Sequence, residues 1–201
     1  MTTVVEPTST NRVLTFPNLI TTVRLACIPL FLYLLFGRED RAQAAVLLAV
    51  LGMTDWVDGY VARRFDQVTE LGKILDPAAD RLLFIVGIGG MIIDGAVPWW
   101  FSMLVVIREV VLGAALVILT MFGMKRFDVT FLGKTATCVL MVAFPLFLMG
   151  ASDISLAPWF NVAGWICGIP GLVLSYYTAI SYVPLMRRSL VEGRAVRTEG
   201  S

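Results

Sequence analysis

The chain has 201 residues, of which 58% are hydrophobic and only 15% are charged, with a formal net charge of +1. This composition excludes an ordinary globular domain and indicates a protein whose solvent is lipid, so we expect no nucleic-acid partner. The sequence contains no histidine, and its three cysteines show no metal-ligand spacing. Metal or acid-base chemistry must therefore depend on carboxylates.

Six apolar runs approach the roughly 20 residues that a helix needs to cross a bilayer. They predict an all-α integral membrane bundle of six transmembrane helices within one domain, residues 16–186. Residues 1–15 have no apolar core typical of a signal peptide, and residues 187–201 are polar and predicted to be largely disordered. The predicted spans are residues 16–36, 42–61, 71–93, 97–122, 131–149 and 160–185.

The basic residues predict the orientation of the bundle, because Lys and Arg accumulate in cytoplasmic loops. Six spans bring both termini to one side of the membrane. If that side is the cytoplasm, only Arg38 and Arg41 among the loop cations lie outside. We therefore expect a multi-pass protein of the cell membrane with both tails in the cytoplasm.

Four aspartates lie at neighbouring ends of the second and third predicted spans. Asp55 and Asp58 are about 60° apart around one helix, and Asp76 and Asp80 are about 40° apart around the next. A short loop makes these helices antiparallel neighbours. The four carboxylates are predicted to converge in one cavity at the cytoplasmic side.

Ionised carboxylates within a bilayer repel one another and need a cation. A ligand set made only of oxygen favours hard cations such as Mg²⁺, Mn²⁺ or Ca²⁺, and two of them could bind a pyrophosphate. Gly59, Ala62 and Gly72 leave room beside the aspartates for a nucleotide diphosphate. Arg63 offers a forked donor to phosphate, and Lys73 adds a second cation. Small residues also serve close helix packing, but that reading leaves the four aspartates unexplained.

The spacing of these residues resembles the signature of the CDP-alcohol phosphatidyltransferase family. All of its defining positions are present, with eight residues between the two halves: Asp55-x-x-Asp58-Gly59-x-x-Ala62-Arg63 and Gly72-x-x-x-Asp76-x-x-x-Asp80. The resemblance extends over the six-span plan and leaves out only the tails.

This resemblance implies a transfer from CDP-diacylglycerol to an alcohol with release of CMP. Asp55, Asp58 and Asp76 would hold two divalent cations, Mg²⁺ or Mn²⁺, while Asp80 would contribute to the metal site and act as the base. The family usually forms homodimers. The residues expected to bind the CDP moiety are Asp58, Gly59, Ala62, Arg63, Gly72 and Lys73.

Three further segments, residues 17–24, 108–109 and 133–135, resemble the branch with phosphatidylglycerophosphate synthases and cardiolipin synthases. Both enzymes use glycerol-bearing acceptors. Phosphatidylglycerophosphate synthases usually carry a further Arg one to two turns after the pair that corresponds to Arg108 and Glu109. Here residues 110–117 are wholly apolar. This departure favours phosphatidylglycerol as the acceptor. Glycerol-3-phosphate and inositol phosphate remain alternatives.

Four residues are candidates for acceptor contacts. Arg24 and Arg108 lie within spans and each should meet a carboxylate, a phosphate or water. Arg108 either contacts the acceptor or is a structural polar residue, and we expect no direct pair with Glu109, since adjacent residues point about 100° apart. Lys134 either binds an acceptor phosphate or anchors its span, and Asn18 either contacts substrate or caps a helix.

Two other classes of function compete with the transferase. A divalent-cation transporter would also carry intramembrane aspartates, but no polar residues continue the site towards the outer face. A noncatalytic assembly subunit would explain the small residues and leave the aspartates without a role.

Overall fold

The computed structural model describes residues 16–65, 70–122 and 130–199, with side chains for residues 22–54, 82–122, 130–186, 189 and 190. These residues form six α-helices and no strand, which confirms the all-α prediction and the number of helices. The first helix ends in a π-helical turn, Tyr33–Gly37. The helices are α1 Phe16–Leu32, α2 Arg41–Phe65, α3 Glu70–Asp94, α4 Trp99–Met121, α5 Phe131–Gly150 and α6 Ala157–Glu199.

Three stretches of the described chain are long and apolar enough to cross a membrane: Trp99–Met121, Phe131–Gly150 and Ala157–Met186. The apolar parts described for the first three helices are shorter, namely Thr22–Gly37, Arg41–Thr54 and Leu82–Asp94. The structure thus contains the six predicted helices, of which three satisfy this length criterion within the described residues; that all six cross the membrane stays a prediction.

The prediction that residues 187–201 are largely disordered is wrong for residues 187–199, because α6 continues to Glu199. This stretch contains one glycine and no proline, so nothing in it stops helix propagation. Ser189 is buried, and Leu190 packs against the cluster of Tyr182 and Met186. Packing of this first turn stabilises a segment whose polar composition alone favoured disorder.

The helices form two compact units, Met1–Asp94 and Gly95–Ser201. In the first unit, Ile28 of α1, Leu51 of α2 and Leu83 of α3 form one buried cluster. Arg41, the first residue of α2, donates from Nε to Oδ2 of Asp94, the last residue of α3, at 2.9 Å. The start of α2 therefore lies beside the end of α3, as expected for antiparallel neighbours.

In the second unit, α5 and α6 pack closely because glycine removes the side chain at their contacts. A Cβ on Gly150 would lie 2.6 Å from the backbone N of Asn161, and one on Gly164 would lie 2.9 Å from the ring of Phe147. At the other end of α5, Thr130 meets the hydroxyl of Tyr182. Together these contacts make α5 and α6 antiparallel.

Helix α4 runs parallel to α6. The ring of Phe101 lies 5.8 Å from that of Trp165 near the start of both helices. Nε of Arg108 donates to the carbonyl of Ser175 further along. Further along again, Leu112, Leu116 and Leu119 of α4 pack beside Tyr182 and Met186 of α6. Residues later in α4 contact residues later in α6, so the two helices run in the same direction.

Candidate functional site

The four aspartates lie on the two helices that the sequence predicted. Asp55 and Asp58 are in the second half of α2, and Asp76 and Asp80 are in the first half of α3. Their side chains lie outside the described residues, so their convergence stays a prediction. The backbone of α2 and α3 nevertheless shows on which face of each helix these four positions lie.

Helical register connects the aspartates to the described core. On α2, Asp55 and Asp58 lie within about 40° of Leu51, and on α3 the other two aspartates lie within about 60° of Leu83. Leu51 and Leu83 belong to one buried cluster. The four aspartate positions thus lie on the faces of α2 and α3 that carry Leu51 and Leu83. Each aspartate is one to two turns along its helix from the leucine of that cluster.

Arg24 lies on α1 one turn before Ile28, which belongs to the same cluster. The two residues share a face, about 40° apart. The Arg24 side chain is only 2% exposed and it interacts with other groups of the protein. That Arg24 meets a carboxylate, a phosphate or water, and that it contacts the acceptor, both stay predictions.

For the residues expected to bind the CDP moiety, the structure again describes the backbone but not the side chains. Gly59, Ala62 and Arg63 are part of α2, and Gly72 and Lys73 are part of α3. Their side-chain surroundings lie outside the described residues. Asn18 is in the first turn of α1, and its side chain is likewise outside them.

The fit of a metal ion depends on the aspartates alone. Among the residues with described side chains, no three His, Cys, Asp or Glu residues lie close enough together to hold an ion. The four aspartates supply only carboxylate oxygens, which suit Mg²⁺ or Mn²⁺ better than softer metals. The donor set therefore fits the predicted divalent cations.

Arg108 is buried in the second unit and is held from two sides. Its Nε donates to the carbonyl oxygen of Ser175 at 3.3 Å, and its Nη1 donates to Oε2 of Glu109 at 2.6 Å. The prediction that Arg108 and Glu109 do not pair is therefore wrong. Backbone directions 100° apart do not prevent contact, because both side chains are long enough for Nη1 of Arg108 to reach Oε2 of Glu109.

Lys134 lies in the first turn of α5 and is exposed. Its backbone N–H donates to the carbonyl of Thr130, whose own hydroxyl accepts from the N–H of Gly133. Tyr182 approaches the same cap, with its oxygen 3.2 Å from the backbone N of Thr130. The exposure of Lys134 fits both predicted roles, an acceptor contact and an interfacial anchor.

Ser175 and Tyr182 are polar contacts that the sequence analysis did not single out. Their signal is the spacing of Ser175, Thr178 and Tyr182, three and four residues apart, which places all three on one face of α6. All three are buried. Polar residues at helical spacing within an apolar span thus mark the face of α6 that packs on its neighbours.

A family model described as CDP-alcohol phosphatidyltransferase matches residues 14–170. The chain is 38% identical over 184 residues to a protein of Streptomyces coelicolor named cardiolipin synthase (CMP-forming), covering 89% of this chain and 86% of the relative.

The chain is also similar to two differently named proteins of Mycobacterium tuberculosis. The chain is 36% identical over 182 residues to a putative cardiolipin synthase, covering 90% of this chain and 87% of that protein. It is 30% identical over 184 residues to a probable phosphatidylglycerophosphate synthase, covering 89% and 85%.

Proposed function

Because the chain belongs to the CDP-alcohol phosphatidyltransferase family, as the aspartate motif predicted, we propose that it transfers a phosphatidyl group from CDP-diacylglycerol to phosphatidylglycerol. The products are cardiolipin and CMP. The observation that carries this choice of acceptor is the higher identity to relatives named cardiolipin synthase than to one named phosphatidylglycerophosphate synthase.

The surface of α4 supports a lipid acceptor. After Arg108 and Glu109 the helix continues with only apolar residues to Val117, and Val110 and Val111 are each 62% exposed. A small, doubly charged phosphate monoester gains nothing from such a surface, whereas the acyl chains of phosphatidylglycerol can lie against it. Glycerol-3-phosphate is the second candidate acceptor, on the weaker similarity to phosphatidylglycerophosphate synthases.

In this proposal the acceptor oxygen attacks the phosphorus nearest the lipid, the bond to CMP breaks, and CMP leaves with the electron pair. Asp80 takes the proton of the acceptor hydroxyl. Asp55, Asp58 and Asp76, with Asp80, would hold two divalent cations. When bound, these ions neutralise the charge that develops on the departing CMP.

The remaining residues bind and orient the two substrates. Gly59, Ala62 and Gly72 leave space for the CDP moiety, with Arg63 and Lys73 beside its phosphates. The predicted acceptor contacts are the cations and amide named above: Asn18, Arg24, Arg108 and Lys134. Arg108 has five N–H donors, and two of them bind Glu109 and Ser175. Among the described residues no other partner takes the remaining three, so they can bind a ligand.

The chain is a membrane protein, and we place it in the cell membrane with both termini and the aspartates towards the cytoplasm. The support for this orientation is the distribution of Lys and Arg, which leaves only Arg38 and Arg41 among the loop cations on the outer side. We also expect the homodimer that is usual in the family.

The proposal is tested with purified protein in detergent, CDP-diacylglycerol and Mg²⁺ or Mn²⁺, by measuring CMP release with each acceptor in turn. Phosphatidylglycerol should support release, and glycerol-3-phosphate and inositol phosphate should support little. Release with glycerol-3-phosphate alone would assign the chain to the second candidate. Metal uptake into liposomes without any CMP release would instead support the transporter.

A further inference from the structure

We propose that Glu109 binds the secondary hydroxyl of the acceptor glycerol, so that Arg108 and Glu109 together recognise a glycerol that carries a phosphate. The inference rests on the proposed function, in which Arg108 contacts the acceptor. It deepens that function by naming the residue that recognises the glycerol, a carboxylate outside the aspartate motif.

Glu109 lies where an unpartnered carboxylate is unfavourable. It is near the middle of α4, a helix long and apolar enough to cross a membrane. The next two residues, Val110 and Val111, are each 62% exposed, and the side chain of Glu109 is itself 49% exposed. Ionisable side chains inside a span usually face a polar partner or a water-filled cavity. We therefore expect the exposed half of this carboxylate to face a polar ligand.

The contact with Arg108 uses only part of the Glu109 carboxylate. Nη1 of Arg108 donates to Oε2 of Glu109 at 2.6 Å, which is a short, charge-assisted hydrogen bond. Among the residues with described side chains, Arg108 is the one partner of Glu109, so Oε1 can accept a hydrogen bond from a ligand. The Arg108 side chain is 7% exposed, so a ligand that reaches the pair meets mainly Glu109.

Helix α6 holds the pair in position. The carbonyl oxygen of Ser175 accepts from Nε of Arg108, and the same oxygen accepts from the hydroxyl of Thr178. Ser175 and Thr178 are both buried. Because the guanidinium is bonded on two sides, the carboxylate bonded to it has a defined place. A binding group that is ordered in advance loses little conformational entropy when the ligand arrives.

The glycerol of both candidate acceptors matches this pair. In phosphatidylglycerol and in glycerol-3-phosphate, a phosphate occupies one end of the glycerol, a secondary hydroxyl the middle and the reacting primary hydroxyl the other end. The secondary hydroxyl is thus next to the phosphate, as the Glu109 carboxylate is next to the Arg108 guanidinium. A guanidinium binds phosphate and a carboxylate accepts from a hydroxyl. The pair therefore recognises glycerol without choosing between the two acceptors, which agrees with a corresponding pair in phosphatidylglycerophosphate synthases.

The test uses an acceptor that lacks the secondary hydroxyl. Phosphatidyl-1,3-propanediol keeps the phosphodiester and the reacting primary hydroxyl of phosphatidylglycerol. The specificity ratio is kcat/KM for phosphatidylglycerol divided by kcat/KM for the propanediol lipid. In the wild-type protein it should be about ten or more, as expected for a hydrogen bond to a charged group. Glu109→Ala should lower the ratio by about tenfold, and Glu109→Gln, which keeps a neutral acceptor oxygen, should lower it less.

Glu39→Ala is the matched control, since Glu39 is an exposed carboxylate in the loop before α2 and undergoes the same chemical change. It should leave the specificity ratio unchanged. Because both lipids are measured in one preparation of each variant, a smaller folded fraction affects both activities equally and cancels.

A specificity ratio in Glu109→Ala equal to that of the wild type would overturn this inference, even if both activities fell. A carboxylate that only neutralises or orients Arg108 affects both lipids alike. A wild-type ratio near one would overturn the inference as well. In both cases, wild-type activity on phosphatidylglycerol leaves the proposed function standing.

A wild-type protein that is active only on glycerol-3-phosphate would instead overturn the proposed acceptor. The same comparison with glycerol-3-phosphate and 1,3-propanediol phosphate then tests Glu109, with the same fall of the ratio expected in Glu109→Ala. Absence of CMP release with every acceptor would overturn both the proposed function and this inference.

Discussion

The residues with a predicted role in function depend on the chain in different ways in the two compact units. In Met1–Asp94, the aspartate motif lies within one stretch, residues 55–80, on two consecutive helices. In Gly95–Ser201, the polar contacts join residues far apart in the chain, with Arg108 bonded to the carbonyl of Ser175 67 positions later and Thr130 to Tyr182 52 positions later. The chemistry of the first unit is thus a local pattern, and that of the second depends on tertiary packing.

The largest effect should come from the local motif. Asp80→Asn removes the proposed base, so turnover should fall at least about a hundredfold, as is usual when a general base is lost. Binding of CDP-diacylglycerol should be largely retained. Asp153→Asn, in the exposed loop after α5, is the control and should leave turnover unchanged. Full activity of Asp80→Asn would remove Asp80 from the role of base.

A second substitution in the same motif separates metal binding from proton transfer. Asp76→Ala should weaken the binding of Mn²⁺ and of CDP-diacylglycerol together, by about tenfold or more, because one carboxylate ligand is lost. Calorimetry or Mn²⁺ resonance spectra of the purified protein measure both. An unchanged metal affinity would exclude Asp76 from the ligand set.

The sequence predicted most of the fold for a physical reason. Apolar runs of about 20 residues and helical spacing are local properties, so the number of helices and the register of Asp55 and Asp80 follow from them. The extension of α6 was not predicted, because Leu190 packs against a cluster that leucines of α4 also contact. The Arg108–Glu109 pair was missed for a similar reason, since the carbonyl of Ser175 holds the guanidinium in place.

The tertiary packing of the second unit can be broken at one glycine. Gly150→Ala places a Cβ 2.6 Å from the backbone N and 2.7 Å from the Cα of Asn161, atoms that cannot move aside cheaply. The free energy of unfolding should fall by about 1–3 kcal/mol, as in other overpacked sites. Thermal unfolding in detergent measures it. Gly113→Ala is the control, because a Cβ there meets nothing within 4 Å; equal stability of the two variants would contradict the packing account.

A smaller effect is expected where α5 begins. Tyr182→Phe removes the hydroxyl that lies 3.2 Å from the backbone N and 3.1 Å from Oγ1 of Thr130. Stability should fall by about 0.5–1.5 kcal/mol, the usual contribution of a hydrogen bond. Tyr177→Phe changes an exposed tyrosine of the same helix and should have no measurable effect. If Tyr182→Phe lost no more stability than Tyr177→Phe, the contact with Thr130 would contribute little.

The most direct test of the proposed transfer is to follow both products in one reaction of the purified protein. CDP-diacylglycerol, labelled in its acyl chains, is incubated with unlabelled phosphatidylglycerol and Mn²⁺, and cardiolipin and CMP are both quantified. We expect equal amounts of the two products, with the label in cardiolipin. Cardiolipin formed without CMP, or labelled phosphatidylglycerophosphate formed only when glycerol-3-phosphate replaces phosphatidylglycerol, would contradict it.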